Sequence, residues 1–493
     1  MRSLKKLAVP FLAAVLAGSV LSLAPVMAAS HPQSLVLSPC RIASAPGPAR
    51  CGHATVYENR ATHRGRTLSL NVIVLPAIGA HPAADPVFFL TGGPGEGASE
   101  DASLLDAPTW KAIRRDRDIV LVDQRGTGQS NPLTCDMGDA NIAMGALYAV
   151  DIPAPVLHAC LAGLAARADV RQYTTPIAMD DLDDVRTALG YDKIDLYGAS
   201  YGTRAALVYM RRHSGHVRAV VLRAIAPVDM KALLSSARDA QRAFDGLVAD
   251  CAADPACAAA YPRVRADLAA VLARLDHSPV SVAAHDPAHG RPIDIVVTRP
   301  VFVGALTWMM SAPEGAASVP QLLKVTAHGD FGPFVSAAMP LAVAAGSHWG
   351  MGMALTIICS EDAALIDPHA IAAAVKGTFA GAARVRNELR LCKSWPRGVL
   401  PGGYSTPVRS NLPVLLISGE YDPIDGIELA RRVAGHLPNS LHVVAPHVAH
   451  HPQFPGCTRA LVTRFLEQGS VKGLDASCVQ SVSRPAWAGV AVK

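Results

Sequence analysis

Short apolar runs bounded by glycine, proline and charge recur through the first half of the chain. They are Pro86 to Gly95 (PVFFLTGGPG), Arg117 to Gly128 (RDIVLVDQRGTG), Asp192 to Gly202 (DKIDLYGASYG) and His216 to Pro227 (HVRAVVLRAIAP). Runs of this kind predict strands buried on both faces, as in a parallel sheet. Between them, Met179 to Asp192 (MDDLDDVRTALGYD) predicts a helix, with acids in its first turn and Gly190 where it stops. Strand and helix in alternation predict an α/β sheet whose ligand site lies at the carboxyl ends of the strands.

After Pro227 the rhythm changes. From about Met230 to Leu400 the chain is alanine-rich and its apolar positions follow helical spacing, with breaks rich in Gly, Pro and His. The strand pattern returns at Ser410 to Gly426 (SNLPVLLISGEYDPIDG), followed by a helix from Ile427 to Leu437, a short strand (SLHVVAP) and a last helix from Cys457 to Gln468. The expected organisation is therefore an N-terminal segment (1–29), a first core part (30–227), a helical insertion (228–405) and a second core part (406–493).

The first residues run from a basic start (Arg2, Lys5, Lys6) through an apolar stretch to small residues at Ala28 and Ala29, the layout of a removable export signal. Gly18, Ser19 and Pro25 interrupt the apolar stretch, which is short for a membrane span. Its removal takes the formal charge from +5 to +2. A nearly neutral chain without runs of Lys and Arg among aromatics points away from nucleic acid and from anionic membranes as partners. Ten cysteines in an exported chain read as disulfides. Pairing neighbours closes the shortest loops: Cys40 with Cys51, Cys135 with Cys160, Cys251 with Cys257, Cys359 with Cys392 and Cys457 with Cys478.

Within this frame, Gly198-Ala199-Ser200-Tyr201-Gly202 is a G-x-S-x-G pattern that follows a predicted strand and precedes a predicted helix, the context in which such a serine becomes an exposed nucleophile. A serine hydroxyl also needs an oriented imidazole, a carboxylate to hold it, and N–H donors for the oxyanion. Asp422 stands just past the strand VLLIS, with Glu420 and Asp425 as rivals. His447, His450 and His451 follow the last strand, whereas His442 falls inside it. The TGGPGEG turn from Thr91 to Gly97 can aim the Gly93 amide at an oxyanion, together with the amide of Tyr201. No helical H-x-x-x-H with an acid is present, so neither a metal nor a cofactor is expected.

GGPG, DQRGTGQSNPLTC, YGASYGTR, SGEYDP and the tail CTRALVTRFLEQGSVKGLDASC together resemble the exported α/β-hydrolases of the prolyl aminopeptidase and tripeptidyl aminopeptidase group. The resemblance implies an α/β-hydrolase fold with an inserted, mostly helical cap. It implies Ser200 as nucleophile, Asp422 as the acid and GGPG as the oxyanion loop. The GxGHG stretch of the group aligns with His447-Val448-Ala449-His450-His451 and so selects His450. Where the group commonly has Thr-Pro after the acid, this chain has Asp425-Gly426, and Ala449 and His451 replace the glycines around the histidine.

An aminopeptidase of this kind acts on short peptides and needs a carboxylate for the substrate's α-ammonium. The candidates are Glu361 and Asp362 in the insertion, in a stretch (ICSED) that the resemblance also covers, and Glu96 and Glu100 beside the oxyanion loop; Glu361 is preferred because Cys359 would be fixed by a bridge. Two other readings use the same residues: an esterase of small acyl esters, and a catalytically silent peptide-binding homologue.

Overall fold

In a computed structural model, which describes residues 35–42, 45–100, 108–230, 232–287, 290–451 and 456–490, the apolar runs become the strands of one nine-stranded sheet. The export segment expected at the N-terminus lies outside the described residues. In chain order the strands are β1 (Ser38–Ile42), β2 (Ala45–Tyr57), β3 (Thr67–Leu75), β4 (Val87–Leu90), β5 (Ile119–Val122), β6 (Ile194–Ser200), β7 (Val217–Ile225), β8 (Val280–His285), β9 (Pro292–Val297), β10 (Val414–Gly419) and β11 (Ser440–Ala445). The large sheet is ordered β1-β2-β3-β5-β4-β6-β7-β10-β11, and β8 and β9 pair as a separate two-stranded sheet. From β5 to β11 the strands run parallel, and β1, β2 and β3 extend the sheet as an antiparallel edge.

The parallel strands are apolar because helices cover both faces. One face, with Val120, Leu196, Val220 and Leu416, packs on the helices Thr175–Leu189 and Tyr201–Arg212. The other, with Leu121, Tyr197, Val221 and Ile417, packs on Pro108–Asp116 and Cys457–Gln468. Gly190 takes a left-handed φ of 80° and ends the helix Thr175–Leu189 where the sequence predicts.

Between β7 and β10 the chain forms helices over Ala232–Ala253, Val264–His277, Arg299–Met310, Pro313–Ala327, Gly332–His348 and Ala383–Ser394, with a core around Phe302 and Phe334 that also takes in Met144, Leu147 and Tyr148 from ahead of β6. The hairpin β8–β9 lies within this stretch and is not anticipated from the sequence pattern. Nor are β1 and β2, because the prolines and glycines of APGPARCGHATVY read as loop, whereas in the sheet Pro46 and Pro48 lie where β2 pairs with β1 alone and has not yet met β3. Ahead of the nucleophile strand, Ala140–Met144, Gly145–Ala149 and Ala154–Ala165 form helical turns that also escape the pattern. Disulfides join Cys40–Cys51, Cys135–Cys160, Cys251–Cys257, Cys359–Cys392 and Cys457–Cys478. Among the described residues no single helix is long and apolar enough to cross a membrane.

Candidate active site

β6 ends at Ser200, which adopts φ 53° and ψ −125° before the chain turns directly into the helix Tyr201–Arg212. A positive φ on a residue with a side chain is strained, and here it lifts the hydroxyl clear of the sheet edge. Both flanking glycines are required by space. A Cβ on Gly202 would lie 1.9 Å from the Leu90 carbonyl oxygen, and one on Gly198 would lie 2.5 Å from that of Gly202. Thr203 holds the turn from within: its Oγ1 donates to the Ser200 carbonyl at 2.6 Å and accepts from the Ala226 amide at 2.8 Å.

The loop after β10 brings a carboxylate to the loop after β11. His450 Nδ1 lies 2.9 Å from Asp422 Oδ2 and 3.1 Å from Oδ1, and Asp422 Oδ1 also accepts the amides of Ile424 and Asp425. With Nδ1–H donated to Asp422, Nε2 is the ring's free acceptor. Asp422 is fully buried and His450 nearly so. Burial lowers the imidazole's proton affinity, but the bond to and charge of Asp422, with the charge of Asp425, carry its pKa up to about 9.

Asp425, a rival to Asp422 in the sequence, joins the same group. Its Oδ2 lies 3.5 Å from Ser200 Oγ and 3.9 Å from His450 Nδ1. Burial, helped by the charge of Asp422 and opposed by that of His450, pushes its carboxyl up to about 7. The serine hydroxyl in this state is turned toward Asp425. Nucleophile–base hydrogen bonds are often unformed without substrate.

Gly93, with φ 94°, forms the turn after β4 and lines the same cavity as Ser200, and Tyr201 is the first residue of its helix, one of those whose N–H a helix leaves without an internal partner. Ser200, His450 and Gly93 line one cavity of about 280 Å³. Its walls are mostly apolar: Met137, Ala143 and Leu147 from the turns ahead of the nucleophile strand, Trp308 and Trp349 from the insertion. Three charged residues also line it, Glu96, Arg223 and Arg384. Among the described residues no cluster of His, Cys, Asp or Glu could hold a metal ion.

Glu361, preferred from the sequence for the substrate's amine, and Asp362 are not among the lining residues. Glu361 is buried, with Oε1 accepting from the Thr175 amide at 2.8 Å and Oε2 from Thr175 Oγ1 at 2.8 Å and from the Tyr404 hydroxyl. Arg204 lies 3.5 Å from Glu361 and 2.7 Å from Asp362. Both acids therefore anchor the helix that starts at the nucleophile. Of the carboxylates considered from sequence, Glu96 is the one at the cavity, its Oε2 3.5 Å from Thr91 Oγ1. Arg223 and the two tryptophans carry no motif. The signal for Arg223 is a charge in an otherwise apolar strand, at the end where sheet ligands bind.

Residues 85–279 match the model of a family described as alpha/beta hydrolase fold, and residues 377–478 one described as TAP-like protein. The chain is 30% identical to Serine protease Hip1 of Mycobacterium tuberculosis over 244 residues, 46% of each chain. It is 29% identical to Tripeptidyl aminopeptidase of Streptomyces lividans over 220 residues, 41% of this chain and 40% of that one. The matched stretch thus spans less than half of either relative. Among solved structures, Proline iminopeptidase of Mycobacterium smegmatis aligns with a TM-score of 0.41 at 18% identity, covering 85% of this chain and 98% of that one.

Proposed function

Because the chain belongs to the α/β-hydrolases, we propose that it is an exported serine hydrolase that releases N-terminal residues from short peptides. One observation carries the reading: Ser200, held at a strained strand-to-helix turn, and a buried His450 bonded to Asp422 face the same cavity. Ser200 Oγ attacks the scissile carbonyl carbon while His450 Nε2 takes its proton, and Asp422 holds the imidazole and offsets its charge. The amides of Gly93 and Tyr201 receive the oxyanion. The tetrahedral intermediate collapses to an acyl-Ser200 as His450 returns the proton to the departing amine, and water, deprotonated by His450, then releases the acid.

Glu96, which lines the cavity, receives the substrate's α-ammonium in this reading, in the place first considered for Glu361. The names of the relatives, a serine protease and a tripeptidyl aminopeptidase, favour an amide substrate. Five disulfides favour an oxidising compartment, in keeping with the basic and apolar start of the chain. The mostly apolar cavity wall favours a second reading, hydrolysis of small acyl esters.

The two readings separate on a panel of peptides, aminoacyl amides and short-chain esters digested by the wild type and by S200A. Cleavage of free-amine peptides at rates above the esters, lost by roughly 10⁴-fold or more in S200A, is the expected result. Turnover of esters alone overturns the peptidase reading.

A further inference from the structure

Among the described residues six arginines are buried, and five of them are partnered in the manner such a charge requires. Arg125 is bound by Asp181, Arg204 by Asp362, Arg117 by Asp85 and Asp195, Arg186 by Asp183, and Arg114 by the carbonyls of Pro76 and Pro48. Arg223 is the sixth. It is 6% exposed, its Nε is buried without a hydrogen-bond partner, and no ion pair joins it among the described residues.

Its position explains why it is retained. Arg223 is near the carboxyl end of β7, its Cα opposite that of Ala199 on β6, the residue before Ser200. Neighbouring strands lie about 5 Å apart, so the guanidinium is rooted beside the nucleophile, and it lines the cavity together with Ser200, Ala224, His450 and His451. A guanidinium does not give up its proton in a protein, and burying an unpaired charge costs several kcal/mol. Folding alone would favour an apolar residue here, since Val220, Val221 and Leu222 occupy the same strand. The missing partner is therefore an anion that arrives in the cavity.

We propose that Arg223 is the receptor for a carboxylate of the substrate, so that the site acts on small acyl compounds bearing a free carboxylate close to the scissile carbonyl. This rests on the hydrolase reading given above. The planar fork of arginine suits a bidentate carboxylate. A single unpaired cation suits a monoanion, because the other lining arginine, Arg384, is 3.2 Å from Glu388. With Glu96 in the same cavity, the site carries charges of both signs, which fits a small zwitterion such as a short peptide. The carboxylate has two sources: the acidic side chain of the residue that becomes the acyl group, or the C-terminus of a short leaving peptide.

The test uses the full disulfide-bonded protein and two matched substrate pairs: glutamyl against glutaminyl anilide, and a dipeptide or tripeptide against its C-terminal amide. The wild type is expected to favour the acid in one pair by about 30-fold or more in kcat/KM, the scale of a buried charge pair. A preference in the first pair identifies the side chain, and in the second the C-terminus. R223Q should abolish that preference ratio and R223K should keep part of it. As a readout that needs no turnover, glutarate should protect Ser200 from a fluorophosphonate in the wild type but not in R223Q, while glutaramide protects neither. The proposal is overturned if the acid is not favoured in either pair, if R223Q lowers acid and neutral substrates equally, or, where no substrate turns over, if glutarate gives no protection. Failure of the fluorophosphonate to label wild-type Ser200 at all is instead the failure of the hydrolase reading.

Discussion

His450 and Asp425 lie too close, in too dry a place, to titrate independently. The 3.9 Å between His450 Nδ1 and Asp425 Oδ2 couples them, and their pKa values, about 9 and about 7, describe the pair. A general base must be unprotonated to act, so kcat/KM should climb with pH through neutrality toward 9. Above about pH 7 Asp425 is ionised, and its negative charge favours imidazolium. D425N removes that charge and leaves burial, which favours neutral imidazole, so the acid limb of the profile should move down by about one pH unit, the effect of ~1.4 kcal/mol. A pH–rate profile of D425N superimposed on the wild type would show that Asp425 does not act on His450. The same substitution frees Ser200 Oγ from its acidic neighbour at 3.5 Å. The resemblance to the aminopeptidase group points to threonine at this position, so the chain's departure from its kin lies against the reacting atoms.

At the scale of the element, the helix Tyr201–Arg212 begins with four residues that each fix the nucleophile differently. Tyr201 OH meets Thr175 Oγ1 at 2.9 Å, Gly202 lets Leu90 approach, Thr203 ties the turn, and Arg204 reaches Asp362. Glu361 joins the same network through Thr175 and Tyr404. Removing one member of a buried ionic network costs about 3–5 kcal/mol. E361A should therefore lower stability by an amount of that order in a denaturant titration, while the preference for free-amine over N-capped substrates stays the same. A loss of that preference with unchanged stability would restore Glu361 to amine binding. The sequence makes Ser200, Asp422 and His450 visible because each sits at a strand end in a fixed chain order. It hides the role of Glu361, since solvated acids at a turn and acids sealed under a helix read alike.

At the scale of the molecule, the parallel strands β4 to β7 and β10 to β11 are legible because burial on both faces leaves unbroken apolar runs. The antiparallel strands β1 and β2 and the cavity wall are not. Met137, Ala143 and Leu147 line the cavity from turns ahead of β6, and Trp308 and Trp349 from the insertion, so the site joins segments remote in sequence whose apolar side chains look like any core. Arg223 is equally silent until its neighbours are known, because an arginine without a partner is a three-dimensional fact. What the fold does as a whole is bring the carboxyl ends of β6, β10 and β11 to one side of the sheet, so that a serine and a histidine face one cavity while an acid is buried against the histidine. The most direct test of that claim is to treat the folded protein with a fluorophosphonate and map the adduct by peptide mass spectrometry. One adduct on Ser200, absent from S200A and strongly slowed in H450A, is predicted, whereas no adduct, or one on another serine, would contradict the account.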